Sequence, residues 1–565
     1  MCGITGIVGP GAKLHALESM LAAQSHRGPD HIGTWIIEHQ VALGHNRLSI
    51  LDLSEAANQP FKSPGGRYTL IFNGEIYNYL ELRNRLEAFY TFRTQSDTEV
   101  LLYSFIHWGP DCLSLLNGMY AFAIWDQEEN SLFAARDRFG VKPFHYSFSG
   151  NSLYFSSEIQ PLWAAGIRKI PNEKVWGGFF SKGQYGYPNE TFWQEIDQLS
   201  PGHFMIFQDG RLEIRSWYNF VQNVSMQPLL PPHLEEEHIL GLMEDSVKLR
   251  FRADVPIGFN LSGGLDSSTL LALVSSVFPN NDQIEAFTFI TGDERYDEIF
   301  WVKNMLNRKP YPLNICLLTP EEVPELTSYI SRLQAEPFGG IPTLAYSKVF
   351  QKARQKGVLV LLDGQGSDEA WAGYDYYVTN SDKLVQGVIT SPVKPEALNN
   401  QVFPQLESNP YPTPFEDRIL NMQYRDLFFT KIPRALRFND RISMAYGTEL
   451  REPFLDYRLV EYVFSRPLEF KIQNGRQKWL LRKIANRFLG NEIALAPKRP
   501  LQTPQREWLG GPLLEWTDSQ IKVLLEKTDW FNKNEVLKIW EKYRKGDQDN
   551  SFYLWQWINT AELLK

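Results

Sequence analysis

Val255-Pro256-Ile257-Gly258-Phe259-Asn260-Leu261 runs directly into Ser262-Gly263-Gly264-Leu265-Asp266-Ser267-Ser268, and the apolar stretch Ser268–Val277 follows at once. The first segment reads as a buried strand, the second as a glycine-rich loop and the third as a helix. Two glycines let the backbone turn tightly and approach a ligand, while serine hydroxyls and the free N–H groups of a helix N-terminus suit a phosphate. The pattern is neither GxGxxG nor GxxxxGK[ST], which argues against a dinucleotide dehydrogenase and a P-loop kinase. A glycine-rich turn with a Ser/Asp helix cap is the plainer reading. The loop's place after a buried strand favours the ligand-binding one, because open α/β sheets bind ligands at strand ends.

Downstream, Glu285–Ile290 and Val358–Leu362 read as further strands, and the second ends in Asp363-Gly364-Gln365-Gly366-Ser367-Asp368-Glu369. Strands alternating with helices predict a parallel sheet covered on both faces. If the strand ends at 261 and 362 are neighbours, Asp266 and Asp368 face each other, and with phosphate oxygens they make a Mg²⁺ site. Upstream lies a helix with Ile239, Met243 and Val247 in one stripe, preceded by the linker-like Gln227-Pro228-Leu229-Leu230-Pro231-Pro232. The C-terminal part is mostly helical, with Trp540, Trp555 and Trp557 as core anchors.

The segment from Met1 to about Tyr218 is strand-rich, with apolar runs at Ile4–Val8, Gly33–Ile37, Val41–Leu43, Tyr68–Phe72, Ala121–Trp125, Leu132–Ala135 and Leu153–Ser156. Pro64-Gly65-Gly66, Asn73-Gly74 and Ser149-Gly150-Asn151 read as turns between them, and His15–Gln24 and Asp97–His107 as helices. Cys2 stands between Met1 and Gly3. Removal of Met1 leaves a thiol beside its own α-amine, a nucleophile with a built-in base, since such an amine titrates at roughly pH 8. Alone, a second-position cysteine is an incidental residue. Here it is accompanied by His26-Arg27-Gly28-Pro29-Asp30, Arg47-Leu48-Ser49-Ile50, Asn73-Gly74-Glu75-Ile76-Tyr77-Asn78 and Ser96-Asp97-Thr98-Glu99. The Arg47 guanidinium can hold an α-carboxylate, and the Asp97 carboxylate an α-ammonium. The Asn73 side chain and the Gly74 N–H can form an oxyanion hole, although Asn73-Gly74 also fits a simple hairpin turn.

The 565 residues carry a net charge of −9. That balance offers no counterion-displacing grip on nucleic acid and no pull toward an anionic membrane. Three widely spaced cysteines, Cys2, Cys112 and Cys316, form neither a disulfide framework nor a CxxC metal site. With no signal-peptide pattern and no long apolar run, the reading is cytoplasmic.

The four N-terminal motifs, with Arg136-Asp137-Arg138-Phe139-Gly140-Val141-Lys142-Pro143 and Ser156-Ser157-Glu158, resemble the class II glutamine amidotransferase domain. The resemblance implies an α+β N-terminal-nucleophile hydrolase sandwich over residues 1–215. It also implies that Cys2 attacks the glutamine amide, that Arg47, Asn73, Gly74, Glu75 and Asp97 bind glutamine, and that Asn73 and Gly74 form the oxyanion hole. The remainder, 216–565, resembles the synthetase domain of asparagine synthetases, an α/β PP-loop (adenine nucleotide α-hydrolase-like) fold with a helical C-terminal part. Its motifs are the 262–268 loop, Tyr296-Asp297-Glu298, Asp440-Arg441-Ile442-Ser443-Met444-Ala445, Glu449-Leu450-Arg451-Glu452-Pro453-Phe454-Leu455-Asp456, and Lys498 with Thr503-Pro504 and Glu507-Trp508-Leu509. By that resemblance Leu261, Ser262, Gly263, Gly264, Asp266, Ser267, Phe289, Asp363 and Gly364 bind ATP and pyrophosphate. Asp266 and Asp368 hold Mg²⁺, and Lys498 stabilises charge at the acyl-adenylate.

The expected reaction is glutamine-dependent amidation of aspartate with ATP cleaved to AMP and diphosphate, the ammonia passing through a dry channel in a protein that dimerises as its family does. Where the family reads Ser-Gly-Glu-Gly, this chain has Asp363-Gly364-Gln365-Gly366, and Lys498 is followed by Arg499-Pro500-Leu501 rather than a Met-Gly-Phe-like run. Both departures bear on the acceptor, so another carboxylate, such as a uronic acid or a biosynthetic intermediate, stays open. A silent glutamine- or nucleotide-binding regulator is the third reading. Intact Cys2, Asn73, Asp266 and Asp368 argue against it.

Overall fold

The computed structural model describes residues 2–279, 283–379, 391–404, 410–498, 502–548 and 550–565. Two six-stranded sheets build the N-terminal part. In spatial order the first is Asp197–Gln198, His145–Ser149, Ser152–Ser156, Gly3–Val8, Val41–Arg47 and His31–Ile37. The second is Arg211–Ser216, His203–Gln208, Ser131–Arg136, Gly118–Asp126, Tyr68–Ile76 and Phe61–Lys62. Every pairing in both is antiparallel. Ile4, Val8, Leu43, Ile71, Ala121 and Ala123 fill the space between the sheets. Outside them, Leu14–Ala23 covers the first sheet, and Asp97–Trp108 packs on the second through Val100, Leu101 and Leu102. The sheets are therefore buried on both faces, which is why Gly3–Val8 and Val41–Arg47 read as continuous buried runs rather than alternating ones.

One sequence expectation is corrected here. Asn73-Gly74 is not a turn. It lies inside the strand Tyr68–Ile76, where Asn73 pairs with Ala121 and Gly74 with Tyr120. The glycine is needed because a Cβ at position 74 would stand 2.1 Å from the Met119 carbonyl oxygen. The turns at 64–66 and 149–151 are turns, and both N-terminal helices form within a residue of their expected limits.

The third sheet has five parallel strands in the order Leu313–Leu317, Glu285–Ile290, Ile257–Asn260, Val360–Leu362 and Glu449–Arg451. Val360 and Leu362 pack toward the helices Pro232–Arg250 and Leu265–Val277. Leu361 points to the other face, covered by Val323–Gln334 and Ile341–Gln355. Strand order reverses between Ile257–Asn260 and Val360–Leu362, which lie side by side with Phe259 opposite Leu362. That reversal opens a crevice at their C-terminal ends, directly beneath the loops at 262–268 and 363–369. The C-terminal helices Leu514–Lys527, Lys533–Arg544 and Phe552–Leu563 carry the buried Trp540, Trp555 and Trp557. Their core is continuous with Trp176 and Phe180 of the N-terminal part. Among the described residues, no helix is long and apolar enough to cross a membrane.

Candidate functional site

The first site begins at the chain's start. Pairing of Gly3 with Asn46 brings Cys2 beside Arg47. The Cys2 backbone N–H donates to Asn73 Oδ1 at 3.1 Å, and the thiol lies 3.8 Å from the Leu48 carbonyl oxygen. Burial raises the thiol's pKa. A small pocket opens here, and Cys2, Arg47, Gly74, Glu75 and Asp97 all line it. The guanidinium of Arg47 is fixed by the loop after its strand, donating to the Ser54 carbonyl and Asn58 Oδ1 at 2.7 Å and to the Asp52 carbonyl. Asp97 opens the helix Asp97–Trp108, where Ser96 caps the Thr98 N–H. Its Oδ2 accepts from the Ile76 N–H at 2.9 Å, yet burial pushes the carboxyl up to about 6. Burial, with Glu449 and Asp97 nearby, also raises Glu75 well above the carboxylate range. The Asn73 amide already has two partners, since its Nδ2 lies 3.4 Å from Ser157 Oγ. The pocket thus offers a thiol, a guanidinium and two carboxyls on one lining.

The second site is the open crevice at the strand reversal. Leu261, Ser262, Asp266 and Ser267 from one loop and Asp363, Gly364 and Asp368 from the other line it, with Phe289 on the neighbouring strand. Gly263 turns the first loop with φ 74°, in the left-handed region. The Ser262 N–H donates to Ser267 Oγ at 3.2 Å, closing the loop on the helix N-terminus. Lys478 was not singled out from sequence, and it ties the two loops together. Its Nζ stands 2.7 and 2.6 Å from the two Asp266 oxygens, 2.7 Å from Asp368 Oδ1 and 2.9 Å from Ser367 Oγ. Lys498 Nζ joins Asp368 Oδ1 at 2.6 Å and lies 4.4 Å over the Tyr374 ring. Burial alone would raise Asp368, but the two lysines hold it well below the usual carboxylate range.

Asp363, the carboxylate this chain has where the family carries serine, accepts from the Tyr346 hydroxyl at 2.5 Å and the Gly364 N–H at 2.7 Å. Burial raises it. Tyr296 donates to Glu507 Oε1 at 2.8 Å, folding the segment that carries Glu507-Trp508-Leu509 onto the cavity mouth. The expectation drawn from Arg499-Pro500-Leu501 lies outside the described residues, as does Met1.

The donor set fits a divalent cation in part. Asp266 and Asp368 converge on one cationic centre, the Lys478 ammonium, so a point between them favours positive charge. Among the described residues no group of three or more His, Cys, Asp and Glu forms a complete metal cage. The chain therefore supplies two carboxylates, and phosphate oxygens would have to complete the shell.

The two sites are joined by buried charge. Arg27 donates through Nε to the Cys2 carbonyl at 3.1 Å and through Nη1 to Glu158 and Asp440, each at 2.8 Å. Arg451, on the edge strand of the parallel sheet, pairs with Glu75 at 3.5 Å. Between the sites lies a third, small cavity, bounded by Tyr77, Met119, Val141, Arg250, Glu452 and Leu455 among others. Its wall carries charge and is not uniformly apolar.

Comparison with known proteins matches residues 1–218 to the glutamine amidotransferase domain family and residues 238–565 to the asparagine synthase family. Asparagine synthetase [glutamine-hydrolyzing] 3 of Bacillus subtilis is 31% identical over 93% of this chain and 92% of its own. Amidase chry2 of Gibberella zeae is 27% identical over 91% and 90%. Among solved structures, the B. subtilis glutamine phosphoribosylpyrophosphate amidotransferase aligns with a TM-score of 0.31 at 17% identity, covering 56% of this chain and 65% of that one.

Proposed function

The chain belongs to the asparagine synthase family of ATP-using, glutamine-hydrolysing carbon–nitrogen ligases, and from that membership we propose that it converts L-aspartate to L-asparagine with glutamine as nitrogen donor. The observation that carries the reading is the coexistence in one chain of a thiol pocket with glutamine-sized recognition groups and a phosphate-type crevice.

In the donor site the α-amine freed by loss of Met1 takes the Cys2 proton, and the thiolate attacks the glutamine side-chain amide. Arg47 holds the α-carboxylate and Asp97 the α-ammonium, with Glu75 beside them. Asn73 and the Gly74 N–H stabilise the oxyanion. For this the Asn73 Nδ2 exchanges its long contact with Ser157 for the substrate oxygen. Ammonia leaves, and water releases glutamate from the thioester.

In the acceptor site Leu261 and Phe289 bracket the adenine, and the 262–267 loop with Gly364 receives the phosphates. Asp363 sits beside the ribose. Asp266 and Asp368 would hold a magnesium ion, which would supply charge neutralisation at the diphosphate. Lys478 then shifts from the two carboxylates to phosphate oxygens, and the aspartate side chain attacks the α-phosphorus to form an acyl-adenylate. Ammonia adds to it, Lys498 stabilises the developing charge, and AMP departs as the amide forms.

A different carboxylate acceptor is the second reading. It is favoured by the acid at 363 and the amide at 365, both facing the cavity. One assay separates the two: pure protein with ATP, Mg²⁺, ¹⁵N-amide glutamine and aspartate, followed by mass spectrometry. Labelled asparagine with AMP and diphosphate is expected. Glutamate release without asparagine moves the assignment to another carboxylate.

A further inference from the structure

Glu452 is a buried acid in an unusual place. It follows the edge strand Glu449–Arg451, and the Arg451 carbonyl accepts the Asp363 N–H at 2.9 Å, so Glu452 lies one residue beyond the ladder that positions the acceptor loop. Only 4% of its surface is exposed. It lines the cavity between the two sites, and among the described residues no side chain hydrogen-bonds its carboxyl.

The cavity shares no lining residue with either site, but its wall backs onto both. On one side Met119 forms its wall, and the Met119 carbonyl is the oxygen that a Cβ at Gly74 would strike. On the other side Leu455 forms its wall and packs on Gly366 of the acceptor loop, 2.4 Å from a Cβ built there. A carboxyl that faces a cavity with no side-chain partner takes its hydrogen bonds from whatever enters that space. Under the reaction proposed above, the nitrogen released by Cys2 is a small polar species that has to pass from one site to the other.

We propose that Glu452 holds the nitrogen in transit between the two sites and exchanges a proton with it. The inference rests on the ammonia transfer proposed above. The exchange balances as a carboxylic acid with NH₃ on one side and a carboxylate with NH₄⁺ on the other. Nitrogen moves on as NH₃, lone pair free, when the proton stays on the carboxyl.

The surroundings suit such an exchange. Burial first, then Asp363 and Asp440, raise the carboxyl, while Lys142 and Arg250 oppose them, and the group is pushed up to about 8. Lys142 Nζ is shared with Asp440 at 3.8 Å, and Arg250 with Asp456 at 3.1 Å. Elsewhere on the wall, Asp137 accepts the Val141 and Lys142 N–H groups, Arg138 donates to the Leu116 carbonyl, and the remaining titratable groups are the Tyr77 and Tyr457 phenols. A carboxyl that titrates near the range of ammonium gives and takes the proton at little cost in either direction.

The test uses the full chain with ATP, magnesium chloride, aspartate, ¹⁵N-amide glutamine and an equal concentration of unlabelled ammonium chloride. The unmodified protein is expected to put more ¹⁵N into the amide than the bath contains. E452V lowers that excess at least threefold while glutamate release stays within twofold. An excess unchanged in E452V and E452Q overturns the proposal. If E452V releases no glutamate, its fold is damaged and E452Q carries the comparison. A second readout needs no acceptor: the infrared carbonyl band of the Glu452 carboxyl, read as the difference between the unmodified protein and E452Q. Its pH midpoint is expected to fall in ammonium chloride relative to equal sodium chloride, and identical midpoints overturn the proposal. If the unmodified protein makes no amide, the aspartate reading fails by itself and the infrared midpoint decides Glu452.

Discussion

With its backbone nitrogen 3.1 Å from Asn73 Oδ1 and its thiol buried against the Leu48 carbonyl, Cys2 can be truncated without disturbing its neighbours. Cys2→Ala is expected to cut glutamate release by about 10³-fold or more, because a nucleophile removed from a concerted set costs nearly the whole catalytic effect. Amide formation from ammonium chloride should persist in this variant, measured as product per AMP. Asp97 gives the donor site its pH dependence. Burial pushes it up to about 6, so it is ionised at neutral pH and protonated just below. If Asp97 holds the ammonium of glutamine as proposed, the ionised form is needed, and kcat/KM for glutamine should fall as pH drops through about 6. Asp97→Asn should remove that limb and raise KM by about two orders of magnitude, the usual cost of breaking a buried charge pair. A limb that persists in Asp97→Asn assigns it to another group.

At the scale of elements, sequence pattern and observed structure part company where a neighbour decides. Asn73-Gly74 carries a strong hairpin signal, yet the strand Gly118–Asp126 pairs through it for nine residues. The closeness of that strand, not the turn propensity, explains the glycine. Two strands of the parallel sheet, Leu313–Leu317 and Glu449–Arg451, carry too little local pattern to stand out. The second is three residues long with charge at both ends, and it is a strand because Val360–Leu362 lies beside it. Lys478 takes a left-handed backbone, φ 55°, just before the helix Trp479–Leu489 and so delivers its ammonium to the crevice. Lys478→Met should lower ATP-dependent diphosphate release by about 10²–10³-fold, in line with losing one preorganised charge at the reacting group. Glutamate release should remain, which a general folding defect would not allow.

The whole molecule is held at its interface by charges that never reach water. Arg27 is fully buried and binds Glu158 and Asp440 together. Arg27→Met removes the main cationic partner of two buried carboxylates, leaving Glu158 only His26 and Asp440 only the more distant Lys142, and the expected loss is about 3 kcal/mol, read as earlier thermal unfolding at pH 7. The pH dependence has a definite sign. Burial would raise Glu158, but His26 and Arg27 hold it at about 2 against an ordinary 4.5. Its pairing therefore contributes stability above about pH 4.5 that is lost as pH falls toward 2, and the gap between variant and unmodified protein should narrow over that window. A gap that stays constant from pH 7 to 3 would mean the arginine acts by packing alone.

What the sequence by itself determined are features whose cause lies within about a dozen residues. The strand–loop–helix at 255–277, the acidic loop after Val358–Leu362 and the thiol at position 2 each carry their chemistry in their own neighbours. What only the tertiary structure decided are the partners. Lys478 reaches Asp266 across 212 positions, and Arg27 reaches Asp440 across 413. The acid that lines the space between the sites, Glu452, is unremarkable in its own segment. The physical reason is the same in each case: burial and opposite charge act through distance in space, and a chain records only distance along itself.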